Sequence, residues 1–212
     1  MCRQLRIAAV IWIVSAGSAL AQRDLASLPT RDAHDGLLVA ADAYQDAARS
    51  KERFGKKNPY DTGILAIEVF FRNDNDKAIR LNLESIRLML SPPEADRQRL
   101  EPLAVEEVVD RILNKGRQNP AVPRQPVPIP GRGPKTGRGK DWDALESALR
   151  AVAFEMDILP PRSSVRGFFF FDMNRRFDWV PYARLYLPDL QLLPDKKPLL
   201  FFEVNLKDSQ PH

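Results

Sequence analysis

The chain holds two histidines, His34 and His212, and neither falls in a Ser-His-Asp, Cys-His or metal-ligand spacing. His34 stands between Asp32 and Asp35, ahead of the first apolar run, and reads as a solvated polar residue. Asp172, Asn174 and Asp178 have oxygen ligands at a spacing a hard cation could use, but Arg175 and Arg176 place positive charge between them. That stretch reads as a strand-ending loop. Asp74-Asn75-Asp76 lacks the glycine and the terminal glutamate of an EF-hand and reads as a turn. Glu106 and Glu107 fall on the polar side of a helix, where solvation accounts for them. The pair Asp172 and Asp178, beside Trp179 and Tyr182, has the best claim to carbohydrate chemistry, because aromatic faces support sugar rings. Two such carboxyl groups would have to lie about 5–9.5 Å apart across a cleft. No phosphate-cradling glycine motif and no nucleophile elbow occurs. No catalytic residue, metal ligand or cofactor is assigned on this basis, and the chain reads as a non-enzyme.

Charge points elsewhere. The formal net charge of +4 is distributed unevenly. Residues 115–140 carry seven basic side chains and no acidic one, with six prolines and five glycines between Gly116 and Gly139. Such a composition buries no core and reads as a disordered or polyproline-like loop. Arg117, Arg124, Arg132, Lys135, Arg138 and Lys140 are the candidate contacts for an anionic partner: a protein, an acidic envelope component or a lipid surface. Prolines at 120, 123 and 126 also have the PxxP spacing of an extended ligand. The loop has no aromatic residue for stacking, which argues against nucleic acid.

The elements that must position this loop are mostly strands. Leu37, Val39, Ala41 and Ala43 alternate in an opening strand. Ile64–Arg72 is the strongest strand of the N-terminal half, with Leu65, Ile67, Val69 and Phe71 on one face and Glu68 and Arg72 on the other. Asn73-Asp74-Asn75-Asp76 is a turn by its side-chain chemistry. Alternation resumes over residues 79–84 and again at Ile86, Leu88 and Leu90, until Pro92-Pro93. Val105, Val108, Val109 and Ile112 make one helical face, with Pro102 in the first turn. A second helix over Asp141–Arg150 sets Trp142, Leu145 and Leu149 on one side, with Asp141 as its cap. Residues 152–158 alternate again, Val165–Asp172 carries four consecutive phenylalanines, and Arg184–Leu187 is another strand. The last strand, over 199–206, turns Leu200, Phe202, Val204 and Leu206 one way.

This pattern predicts a mainly β fold, an antiparallel β-sandwich interrupted over residues 91–150 by a two-helix, Pro/Gly-rich insertion. The stretch ILAIEVFFRNDNDKAIRLNLESIRL resembles the strand–turn–strand of telokin-like, immunoglobulin-type domains of exported bacterial proteins, and ILPPRSSVRGFFFFDM is similar to their lPPG…v.G.v.F stretch. Arg162 stands where a glycine is usual there. The resemblance covers about half of the chain and implies an immunoglobulin-like sandwich without a defined activity.

The N-terminus carries an address. Arg3 and Arg6 precede the apolar run Ile7–Val14, and Ala19-Leu20-Ala21 closes a run of small residues. Residues 1–21 therefore read as a secretory signal peptide with Gln22 as the new N-terminus, an uncleaved anchor being the alternative. The expected location is periplasmic or extracellular. Cys2, the one cysteine, falls in the leader, so no disulfide would brace residues 22–212. Removing the leader leaves 30 basic and 28 acidic residues; with seven of the basic ones in the loop, the remainder is acidic by five.

Overall fold

A computed structural model describes residues 30–114 and 139–207. The expected signal peptide, five of the six candidate loop residues (Arg117, Arg124, Arg132, Lys135 and Arg138) and His212 lie outside these residues. In chain order come β1 (Arg31–His34), β2 (Leu37–Ala43), α1 (Ala47–Phe54), β3 (Ile64–Asn73), β4 (Ile79–Arg80), β5 (Arg87–Leu90) and β6 (Gln98–Leu100). Then follow α2 (Val105–Leu113), α3 (Lys140–Arg150), β7 (Ile158–Leu159) and β8 (Ser163–Asp172). The chain ends with β9 (Ala183–Leu187), β10 (Gln191–Leu192), β11 (Lys197–Pro198) and β12 (Phe202–Asn205). Three short 3-10 turns, Tyr60–Thr62, Leu83–Ser85 and Phe177–Tyr182, punctuate the connections.

The strands form three antiparallel four-stranded sheets, ordered β1-β2-β3-β8, β12-β9-β5-β6 and β11-β10-β4-β7. The fold is mainly β and sandwich-like. One core lies between the first two sheets. Val39, Ala41, Ile67, Val69, Phe71, Phe169 and Phe171 from one meet Leu88, Leu90, Leu185, Leu187, Phe202 and Val204 from the other. The opposite face of β3 and β8 is also buried. Tyr44, Ile64, Ala66, Phe168 and Phe170 pack there against Val105, Val108, Val109 and Ile112 of α2 and Leu149 of α3. The phenylalanine run is apolar on both sides because one side faces a sheet and the other faces helices. Each fully buried phenylalanine contributes about 1.5–3 kcal/mol of hydrophobic stabilisation.

β8 ends its sheet, yet its outer edge is closed along Phe168–Phe171. Pro102 bridges Phe171, the Leu103 N–H donates to the Phe170 carbonyl at 2.7 Å, and Ala153 forms a parallel bridge to Phe168. Gly167 permits this approach. A Cβ there would lie 2.8 Å from Cα of Phe154 and 2.9 Å from its N and Cβ. The span 91–150 thus supplies β6 and the Pro102 bridge to the sheets, in addition to two helices.

Several stretches depart from the sequence pattern. β1 and α1 fall in segments that read as polar. β1 pairs with β2 through the tight turn Asp35-Gly36, whose φ values of 47° and 71° give the right-handed twist that two-residue hairpins need. His34 therefore belongs to a strand and does not precede one. Alternation over 79–84 stops after β4, because the chain coils into the Leu83–Ser85 turn. Residues 152–157 form only the bridge at Ala153, and Met156 and Ile158 are exposed. Leu200 is 67% exposed, because the ordered strand begins two residues later. Pro102 lies outside α2, whose N-cap is Ala104, and Gly139 occupies the N-cap of α3 that Asp141 was expected to fill. Among the described residues no helix is long and apolar enough to cross a membrane.

Candidate functional site

α2 and α3 flank the basic segment in the chain, and Lys140 is the exposed first residue of α3. The two helices run antiparallel and are tied near both ends. Trp142 Nε1 near the start of α3 donates to Asp110 Oδ1 near the end of α2 at 2.7 Å. At the other end the Arg150 guanidinium reaches Glu106 of α2, and it also pairs with Glu146 at 2.6 Å and Glu155 at 2.8 Å. These carboxylates, Glu146 foremost, raise the Arg150 pKa above its ordinary value and keep the cation in place. Beneath the ties, the apolar face read from Val105, Val108, Val109 and Ile112 seats the hairpin on the sheet.

Further ion pairs anchor the end of the hairpin from which the segment emerges. Arg111 of α2 pairs with Asp172 at the end of β8 at 2.5 Å, and Lys57 pairs with Asp141 of α3 at 3.7 Å. Asp172 also accepts from the Asn174 N–H at 2.9 Å. Its role is to hold the strand end to α2. Trp179 is partly buried against the main core and lies under the Arg176 guanidinium, 4.0 Å from its ring centroid. Asp178 and Tyr182 are exposed in the 3-10 turn. The sheet and turn thus give Asp172 and Trp179 structural partners and do not set them as a free carboxylate beside an open ring.

Arg175, beside this group, is in a different situation. Asn174 and Arg175 both take left-handed backbone, at φ 47° and 65°, and Arg175 packs its backbone N against Gly63, where a Cβ would come within 2.9 Å. Non-glycine residues in this region cost about 1–3 kcal/mol each and persist where the surroundings impose them. Met173 N–H donates to the Gly63 carbonyl at 3.0 Å, which fixes the loop to the Tyr60–Thr62 turn. Tyr60 and Phe177 stack with centroids 4.1 Å apart and planes 14° from parallel. Together with Asp61 and Arg175 they line an open cleft of about 290 Å³.

A second arrangement escaped the sequence reading. Asp42 of β2 and Glu68 of β3 are cross-strand partners, and both are buried. Arg49 of α1 grips Asp42 with two hydrogen bonds, at 2.7 and 3.1 Å, and its guanidinium lies 4.5 Å from the Tyr44 ring centroid. The Tyr44 hydroxyl donates to Glu68 at 3.2 Å. Burial, and next the charges of Glu68 and Asp42, push the Tyr44 phenol up to about 12. Glu68 lies on the face of β3 opposite Leu65, Ile67, Val69 and Phe71, and α1 covers it there. Arg53 completes the cover, 5.1 Å from the Phe168 ring centroid. The signal was there: two acids opposite each other in otherwise apolar strands require a buried partner.

Polar side chains around the β3–β4 turn pair with one another and with backbone. Arg72 pairs with Asp74 and Arg162 with Asp76, while Asn73 side-chain atoms hold the Asn75 N–H and the carbonyls of Lys77 and Pro160. His34 stacks on buried Phe202 at 3.7 Å. Among the described residues, no group of three His, Cys, Asp or Glu could hold a metal ion. No family model, curated protein or solved structure compared with the chain matches it, so any reading of function rests on its own residues.

Proposed function

We propose that this chain is an exported, non-catalytic binding module, a β-sandwich of immunoglobulin type, that meets an anionic component of the cell envelope or secreted fraction. The contacts are Arg117, Arg124, Arg132, Lys135, Arg138 and Lys140. One observation carries this reading: α2 and α3, the helices that flank the basic segment in the chain, form an antiparallel hairpin tied by Trp142 to Asp110 and by Arg150 to Glu106. The seven positive charges all fall within residues 115–140, and charge concentrated in one stretch raises local attraction for a polyanion more than scattered charge does. The acidic balance of the remainder then orients the molecule, basic segment first. Protein and lipid partners differ in how the binding responds to fractionation, and both share the salt dependence of screened charge.

Co-sedimentation of residues 22–212 with envelope fractions across a salt series tests this. Binding should weaken steadily as salt rises, and should vanish in a variant with the six contacts changed to glutamine. Equal binding by the two proteins would refute the role of the segment.

A further inference from the structure

The cleft between the Tyr60–Thr62 turn and the loop after β8 has the makings of a ligand site. We propose that it binds one ring of an acidic polysaccharide, with Tyr60 as the stacking face and Arg175 as the partner of the sugar carboxylate. This rests on the anionic-partner reading above and names the chemistry of that partner.

The platform is rigid. Phe177 is packed against the main core and Tyr60 lies flat upon it. The turn bearing Tyr60 is pinned from below, where buried Asn58 accepts the Asp61 N–H at 3.0 Å and the Thr62 hydroxyl donates to the Pro59 carbonyl at 2.7 Å. A ring held this way loses little freedom when a sugar stacks on it.

The cation is positioned at a conformational cost. Arg175 is exposed, and it donates to the Asp61 carbonyl at 3.2 Å without an ion pair to any described carboxylate. Neighbouring arginines are engaged, Arg111 with Asp172 and Arg176 with Trp179 and Gln98. Two consecutive left-handed residues are needed to bring Arg175 over Gly63 to the cleft wall. A guanidinium offers paired N–H donors that match a carboxylate.

Cleft size and lining narrow the class. At about 290 Å³ it sits at the small end of ligand sites and takes one ring. Arg111–Asp172 and Lys57–Asp141 hold the end of α2 and the start of α3 near this turn.

Polygalacturonate is the probe, compared with neutral dextran, polyphosphate and anionic phospholipid vesicles, using residues 22–212 in titration calorimetry. Tyr60→Ala and Arg175→Gln should each weaken polygalacturonate binding about tenfold, and Tyr60→Phe should retain it. Far-UV circular dichroism and melting confirm that each variant is folded. Unchanged affinity in folded Tyr60→Ala and Arg175→Gln overturns the cleft. If the six-glutamine variant still loses its binding in that case, the basic-segment reading stands without the cleft. Loss in the cleft variants alone, with the six-glutamine variant binding normally, upholds the cleft and refutes the segment. Polyphosphate or vesicles binding as tightly as polygalacturonate, with the same loss in the cleft variants, overturns the sugar.

Discussion

Gly167→Ala is the sharpest test of how the helical hairpin is held. The new Cβ would sit 2.8 Å from Phe154 Cα and 2.9 Å from its N and Cβ, about 1 Å inside ordinary contact. These are backbone atoms or atoms fixed to the backbone, so no rotamer change relieves the clash. Residues 152–154 must retreat. That retreat strains two hydrogen bonds, Phe154 N–H to the Phe168 carbonyl and Phe168 N–H to the Val152 carbonyl, each 2.9 Å. It also lifts Phe154, a member of the main core, away from Phe71 and Phe169. Overpacking costs about 1–3 kcal/mol and each of the two weakened hydrogen bonds about 0.5–1.5, so the expected loss is about 2–6 kcal/mol. With a urea m-value of about 2 kcal/mol/M, the unfolding midpoint should fall by about 1–3 M. Gly139→Ala is the control, since no atom lies within 4 Å of its added Cβ, and its midpoint should hardly move. A Gly167→Ala midpoint within about 0.3 M of the parent would refute the close approach and the edge closure built on it.

Two more outcomes follow from the buried charges. The Tyr44 phenol is held protonated up to about pH 12 in the folded chain, against about 10 when unfolded. Its contribution is therefore full below pH 10 and is lost as pH rises through 12, on the order of 2–3 kcal/mol; stability curves over pH 9–12 should show this slope, flattened in Tyr44→Phe. Arg49→Ala removes the two-pronged guanidinium from Asp42 and should cost about 3 kcal/mol in urea unfolding. Adding Asp42→Ala should recover part of that loss, and strictly additive losses would count against the pair.

The long strands were legible because both their composition and their period are strong. The strands read over Ile64–Arg72 and Val165–Asp172 extend to Ile64–Asn73 and Ser163–Asp172 and pair over ten residues. Val105, Val108, Val109 and Ile112 at i, i+3, i+4, i+7 announced the buried face of α2. Short elements were hidden for a physical reason: β4 and β7 have two residues each, too few for a period, and exist because tertiary packing pairs them. β1 was missed although Asp35-Gly36 is a strong hairpin signal, because its residues are polar and the strand is half-exposed. For the candidate site, the basic residues were visible as composition, while the antiparallel ties at Asp110 and Glu106 were not, since they join residues 32 and 44 positions apart. The Tyr60–Phe177 stack is likewise a meeting of distant turns, which no local pattern encodes.

The closed edge of β8 has a consequence for self-association. Gly167-Phe168-Phe169-Phe170-Phe171 is uncharged, free of proline and rich in β-forming side chains, the composition that templates stacking between copies of a chain. In the folded protein its outer backbone is already spoken for, by Pro102 and Leu103 at one end and by residues 152–154 at the other. Pro102 adds no donor of its own at that edge, which makes further strand addition there still less favourable. Arg166 and Asp172 flank the run with charge. The hairpin that seats the basic segment thus also guards the chain's most adhesive strand, so any change that loosens it should register first as loss of solubility.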